Sequence, residues 1–533
     1  MNLISLISSR RVGKPPIIIL APAIGIGLVM LLPLSYLIIR GMDASETTWE
    51  LLLKPRTLVT LGRTALLMFT VTLTSVLISV PLAWLTTRTN LPLHRMWSVI
   101  TVLPLVIPSF VGGYLFVSAL GPRGLLQQAL SPLGVDRLPE IYGLAGATLT
   151  LSLLSYPYVL LTIRGAVRNL DPALEESSRA LGYGTFQTFV RVSLPQLRPA
   201  ITAGSLLVAL YTLSDFGAVS LMRYKTFTWV IFQQYESSLD RSLIALVSLM
   251  VAIIAISTVL IDIYTRGKLR YHSVGPGTAR TPTKRNLGGW KWPALTLMTG
   301  IAMASIIVPA SILWYWLVRG VSAGEPLSII LHDTWNSISV SMLAAVTTSI
   351  LSIPLAIMIV RYPGRLASLI ERVSYIGFAL PGIVVAVSLV FFAANYAQPI
   401  YQTMWLLIFA YVILFFPTAL GATRASLLQI SPRLEEAARS LGYTSLKAVR
   451  SVTIPLAGPG VVMGGSIVFL ITMKELPATM ILGSLGFSTL ATSVWSAASE
   501  AFFAQAALPA LVLIAVSSVP MAVLVAREKG DFS

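Results

Sequence analysis

The sequence predicts an all-α polytopic membrane protein: two parallel six-span repeats, about twelve transmembrane helices in all. Three observations carry this. The 533 residues are 55% hydrophobic and only 11% charged, where a soluble domain carries roughly a quarter charged residues. Apolar stretches of about 20 residues, the length that crosses a bilayer, recur along the whole chain. Finally, a charged island at residues 171–183 returns at 431–443, with prolines and arginines around it in register.

The first set of spans reads 17–39, 64–87, 97–120, 141–163, 199–222 and 242–263. Arg10, Arg11 and Lys14 precede the first, which is free of charge. A signal peptide would have an apolar core of about 7–15 residues ending at a small-residue cleavage site, so the stretch reads as a span. The second set is 293–318, 335–360, 373–394, 403–423, 459–482 and 507–526. Between the sets, 265–291 is basic, rich in Gly, Pro and Thr, and free of acids. It reads as a flexible cytoplasmic linker. The domains are therefore a first half (1–264), the linker (265–291) and a second half (292–533).

The net charge of +17 could suggest nucleic acid. Placing the N-terminus in the cytoplasm, however, puts most of the 38 Lys and Arg on that side, including Arg164, Arg168, Arg191, Arg198, Arg424, Lys447 and Arg450. This is the positive-inside pattern, so the bilayer accounts for most of the charge and no nucleic-acid partner is expected. The chain has no cysteine, which excludes disulfides and thiolate metal sites. His94, His272 and His332 lie far apart and form no local metal motif.

Residues 171–185 and 431–445 are identical at eight of fifteen positions. At the same offset of 260, Pro157 pairs with Pro417, Arg164 with Arg424, Pro195 with Pro455 and Pro199 with Pro459. Upstream the offset is 273: Pro81-Leu82-Ala83 pairs with Pro354-Leu355-Ala356, and Arg88 with Arg361. The first half thus carries extra residues near 121–140. An even number of spans makes the repeat parallel, about an axis along the membrane normal. A duplicated bundle of this kind encloses a central path, which favours transport over an enzyme or a receptor.

In each island Pro172 or Pro432 suits a first helical turn, with Asp171 or Ser431 as N-cap. Glu175-Glu176 and Glu435-Glu436 then lie in early turns, where the helix dipole favours acids. Leu174, Ser178 and Leu181 make one ridge, as do Leu434, Ala438 and Leu441. Gly182 and Gly442 can end the helix. A second short helix follows, closed by Leu194-Pro195 and Ile454-Pro455. One such copy could be an amphipathic loop resting on headgroups. Two copies with the same spacing point to docking of a two-fold cytoplasmic partner.

Glu436-Ala437-Ala438, Gly442 and Ile454-Pro455 resemble the EAA signature of binding-protein-dependent ABC importer permeases. The first copy departs from it, with Ser177 and Ser178 in place of both alanines. The resemblance covers nearly the whole chain, as two fused permease domains. It implies a type I permease fold in the inner membrane, N-terminus cytoplasmic. It also implies two coupling helices that dock on two separate ATP-binding subunits, through Glu175, Glu176, Arg179 and Gly182 in one and Glu435, Glu436, Ala437, Ala438, Arg439 and Gly442 in the other. A periplasmic substrate-binding protein is the third implied partner. The chain itself has no phosphate-cradling G-x-x-x-x-G-K-[ST] loop; Gly267-Lys268-Leu269 lacks both the preceding glycine and the hydroxyl. It is therefore expected not to be an enzyme and to hold no cofactor, with ATP and magnesium on the partner subunits.

Asp215 and Glu475 lie late in matching spans, 260 residues apart, each two residues before a helix breaker, Gly217 or Pro477. Ionisable residues inside spans are functional hypotheses by default. These two are expected to line the path or its outer gate; local capping and docking of the binding protein are the competing roles. No metal site is assigned. Facing the path, their oxygens would favour a hard cation. The tracts around them, Ser214-Asp215-Phe216-Gly217 with Arg223-Tyr224-Lys225-Thr226-Phe227 and Met473-Lys474-Glu475-Leu476-Pro477 with Gly486-Phe487-Ser488-Thr489, resemble the ferric-iron branch. Fused thiamine permeases share the layout, and sulfate or molybdate permeases share the motif. From other classes, an ion-gradient-driven secondary transporter would share the two halves without needing matched islands. A membrane receptor or scaffold would move no solute.

Overall fold

The computed structural model describes residues 15–122, 124–135, 137–168, 170, 172–237, 241–266, 285–324 and 328–530. Lipid offers the backbone no hydrogen bonds, so each apolar stretch satisfies its own as a helix. In chain order the helices used below are α1 (Ile17–Met42), α2 (Pro55–Arg88), α3 (Ser109–Leu120), α4 (Leu144–Arg168), α5 (Pro172–Ala180), α6 (Thr185–Ser214), α7 (Arg241–Arg266) and α8 (Gly288–Ser322). The second half continues with α9 (Ser328–Arg361), α10 (Gly382–Tyr396), α11 (Met404–Gln429), α12 (Pro432–Ser440), α13 (Ser445–Met473) and α14 (Phe503–Gly530). Among the described residues there is no strand, only an isolated bridge between Thr89 and Arg285.

Each half is built on three mutually packed helices, α2–α4–α6 and α9–α11–α13. Lipid tails are as apolar as leucine, so close packing and interhelical hydrogen bonds hold such helices together. The repeat reuses both devices. A Cβ on Gly204 would fall 2.7 Å from Val159 Cα, and one on Gly464 would fall 3.1 Å from Ala419 Cα. Glycine at these matched positions lets α6 lie on α4 and α13 on α11. Ser79 Oγ donates to Tyr156 O (2.8 Å), and its counterpart Ser352 shares a hydrogen bond with Thr423 (3.0 Å).

The outer helices interlock the halves. α1 packs against α9 and α10 of the second half and against α7. Ser388 Oγ donates to Pro33 O (2.9 Å), and Asn395 Nδ2 donates to the Tyr36 hydroxyl (3.1 Å). Reciprocally, Ala294, Met298 and Ala302 of α8 are buried in the core of the first half. Tyr114 of α3 stacks on Phe503 of α14 with ring centroids 6.2 Å apart.

Ten described helices are long and apolar enough to cross a membrane. The other two expected spans are not continuous helices. The expected span 97–120 bends by 94° between His94–Val106 and Ser109–Leu133. The expected span 373–394 becomes short helices Arg365–Ser374 and Ile376–Ala379, then the 15-residue α10. The cause is local. Pro108 and Pro381 cap the helices that follow, and Ile107 and Leu380 before them are extended (ψ 118° and 129°), as a residue preceding proline prefers. The fifth and eleventh spans also stop early, at Ser214 and Met473, and restart as Gly217–Leu221 and Pro477–Leu482.

Candidate functional site

All four breaks meet at one place. A cavity of about 260 Å³ lies between the halves, walled by Pro108 and Asp215 from the first and by Gly382, Lys474 and Glu475 from the second. Irregular backbone is tolerated at membrane depth only where protein or a cavity receives it. The two acids sit just past the ends of α6 and α13, at the breaks, where the chain has left the helix.

Their surroundings are related by the repeat but adjusted for size. Asp215 Oδ1 accepts from Val219 N (3.2 Å), and Glu475 Oε1 accepts from Ala478 N (3.3 Å). Thr228 and Thr479 hydroxyls hold the carbonyls of Asp215 (2.6 Å) and Glu475 (2.5 Å). Local capping and the cavity wall are thus combined in the same carboxylates. Ser109, which opens α3, lines the same cavity as Asp215. Its counterpart is Gly382, where a methyl would collide with Glu475 Oε1. The shorter acid faces serine; the longer one needs glycine. Lys474, where the first half has Ser214, donates from Nζ to Leu105 O (2.7 Å) and so bridges the two halves.

One buried acid falls outside the sequence expectations. Asp333 at the start of α9 accepts hydrogen bonds from the Ser488 and Ser493 hydroxyls, and His332 Nδ1 lies 3.6 Å from Oδ1. It borders a separate 370 Å³ cavity inside the second half. The signal was a charge just ahead of an apolar run, and Thr60 at the matching position shows that the acid is not part of the repeat. Among the described residues no three His, Cys, Asp or Glu converge as a metal-holding group.

The two islands fold alike. Gly182 (φ +88°) and Gly442 (φ +90°) adopt the left-handed conformation after the helix. Tyr183 N then bonds to Ser178 O (3.2 Å) and Tyr443 N to Ala438 O (3.1 Å), the closing bonds of a Schellman cap. Ser431 Oγ accepts from Arg433 N (3.4 Å) as expected of an N-cap, whereas Asp171 lies outside the described residues. The expected ridge of Leu174, Ser178 and Leu181 does not form one surface. Ser178 turns inward onto Thr188 (3.1 Å), and Ala438 is likewise buried, while the leucines at both ends stay exposed.

The glutamate pairs divide in the same way. The first of each pair faces inward: Glu175 accepts from Ser193 and Arg285 (both 3.0 Å), and Glu435 accepts from Thr453 (2.8 Å) and Arg361 (2.7 Å). Arg179 Nη2 stands 3.8 Å from Glu175. The second of each pair, Glu176 or Glu436, is exposed, as are Gly182, Gly442, Ala437 and Arg439. Residues 267–284 of the expected linker lie outside the described residues; Arg285, where the description resumes, is docked on the first island.

A duplicated set of membrane helices, broken around a shared cavity and bearing a matched exposed segment on each half, defines a multi-pass membrane permease. The family described as the binding-protein-dependent transport system inner membrane component matches residues 75–270 and again 349–529, and the chain belongs to it. Membership implies a binding protein and ATPase subunits as partners. The chain is 37% identical over 516 residues to the Fe(3+)-transport system permease protein FbpB 2 of Haemophilus influenzae, covering 96% of this chain and 98% of that one. It is 25% identical over 417 residues to the ferric transport system permease protein FbpB of Actinobacillus pleuropneumoniae, 72% of this chain and 60% of that one. A weaker likeness, 28% over 193 residues, 36% of this chain and 69% of the relative, is to the sulfate transport system permease protein CysT of Escherichia coli.

Proposed function

We propose that this chain is the permease subunit of an ATP-driven importer that receives ferric iron from a binding protein and releases it into the cytoplasm. The observation that carries this reading is the cavity between the halves, to which each half brings one carboxylate at a break in its helix. Carboxylate oxygens suit a hard cation, and an oxyanion would be repelled by them. The whole-length likeness to an Fe(3+) permease supports the same substrate.

In this reading residues 1–264 and 292–533 are the two permease halves, and 265–291 joins them. The Lys and Arg distribution supports an N-terminus in the cytoplasm, with both islands on that side. One ATPase subunit docks on each island through the exposed Glu176 and Gly182, or Glu436, Ala437, Arg439 and Gly442. The inward Glu175 and Glu435, with Ala438, tie each island to its half, so motion of the ATPases rocks the halves. Asp215 and Glu475 then offer oxygens on one side of the cavity after the other.

Radiolabelled uptake in a deletion strain tests the substrate. Restored iron uptake, without change in thiamine or sulfate uptake, is the expected result. Restoration of sulfate or thiamine uptake with no iron uptake would overturn it. The paired variants Asp215→Asn and Glu475→Gln should each lower iron uptake by about tenfold or more, roughly 1.4 kcal/mol, at unchanged membrane levels.

A further inference from the structure

The two islands are tethered by different arginines. In the second half one guanidinium does two jobs: Arg361 Nε donates to Glu435 Oε1 (2.7 Å) and Nη2 donates to Ile430 O (3.1 Å). Arg88 is its counterpart, and Leu170 that of Ile430. Arg88 Nη2 does donate to Leu170 O (3.0 Å). Arg88 Nε, however, is buried with no hydrogen-bond partner. The carboxylate it would hold, Glu175, is taken by Arg285 Nη2 (3.0 Å).

Arg285 does not belong to the first half's own fold. It leads into α8, the opening helix of the second half. It is clamped where it stands: Arg285 N donates to Arg88 O (2.8 Å) and Asn90 N donates to Arg285 O (2.9 Å). Beside it the Asn90 amide donates to Asn286 Oδ1 (3.1 Å), and Leu287 N donates to Asn90 Oδ1 (3.1 Å). The guanidinium also lies 5.6 Å from the Trp84 ring.

We propose that Arg285 is a positioning residue for coupling at the first island: it holds Glu175 in place of Arg88, and Glu175 passes to Arg88 as the island moves. This rests on the coupling role proposed above. Three guanidinium groups stand around one carboxylate: Arg285 is bonded to it, Arg179 lies 3.8 Å away on the exposed side, and buried Arg88 feels its charge. Transfer to Arg88 would satisfy a buried donor that is otherwise unmade, a costly condition. It would release Arg285, which is more exposed than Arg88, towards solvent. The exchange therefore trades one charge-assisted bond for another, as a small conformational step requires. The second island has a single arginine for the same two contacts and no such alternative, so the linker end makes the two islands mechanically unequal.

The test uses the whole transporter with its ATPase and binding protein, with membrane levels of each variant measured. Arg285→Gln should slow uptake by about 2- to 30-fold, the span of coupling effects from single contacts. Arg285→Lys should recover most of it. Arg88→Lys keeps a cation on Leu170 O but cannot make two edge contacts, so Arg88→Lys with Arg285→Gln should fall well below the product of the single effects. The chain has no native cysteine, so Asn90→Cys with Asn286→Cys can be joined by a short reducible cross-linker. Uptake should drop when cross-linked and return on reduction. Equal uptake in the two states, or single effects that simply multiply, would overturn the exchange. Glu436→Lys separates the two levels. Normal uptake there removes the coupling role itself, whereas lost uptake there with parental Arg285 variants removes only the present proposal.

Discussion

The two islands have nearly the same sequence and the same backbone, but different attachments. The second is self-contained: Arg361, Glu435 and Thr453 all come from its own half. The first borrows Arg285 from the far end of the linker and leaves Arg88 Nε unpaired. Its exposed face differs too, with Ser177 where the second has Ala437. Fusion of two repeats into one chain frees each copy to drift, provided that the inward glutamate keeps a cation. What the comparison teaches is that the first glutamate of each pair is turned into the permease, while the second is exposed on the face where the proposed docking puts an ATPase subunit.

The largest effect should come from reversing the outward charge. Glu436→Lys should lower uptake about 100-fold or more, the scale of an unpaired charge forced into an interface, while the protein still inserts. Glu176→Lys should cost less, since Ser177 and Ser178 in place of alanine are expected to weaken docking of that copy. Equal losses measured in the same uptake assay would show that the islands contribute equally.

A smaller effect compares the two sides of the cavity. Gly382→Ser would crowd Glu475 and should reduce uptake roughly tenfold, about 1.4 kcal/mol. Adding Glu475→Asp rebuilds the Ser109–Asp215 arrangement in the second half and should restore most of the loss. Failure of that rescue would mean that the matched pairs are not interchangeable.

The smallest should fall on the caps. Gly182 and Gly442 have open space around the missing side chain, so alanine meets only the left-handed backbone. The cost is about 1 kcal/mol at either site, the low end of the penalty for a left-handed residue. Thermal denaturation of the two purified variants in detergent should therefore give equal shifts; unequal shifts would point to an unequal load on the two segments.

The repeat, the islands and the matched acids were all legible because each has a fixed offset in the chain. Pro81 and Pro354, or Arg88 and Arg361, declare themselves without any structure. The breaks near Pro108 and Pro381 were harder, since an apolar run has the same hydropathy whether its helix is continuous or not. The prolines were the available signal, but Pro157 and Pro417 sit inside unbroken helices. The Arg285–Glu175 pair spans 110 residues and obeys no period, so nothing in the sequence announces it. Asp333 escaped because its run of apolar residues begins just after it.

The interlocked outer helices have a consequence for biosynthesis. Ser388, which grips Pro33 of α1, is made 355 residues after it. At a synthesis rate of about 5–20 residues per second, α1 waits roughly 20–70 s before its polar partner exists. Throughout that time α7 is the one partner named above that can join α1, and lipid or the insertion machinery must cover the faces that α9 and α10 later take. A truncated chain that stops after the first half would leave those faces of α1 uncovered permanently, and quality-control proteases should recognise that product even though its own three-helix core is complete.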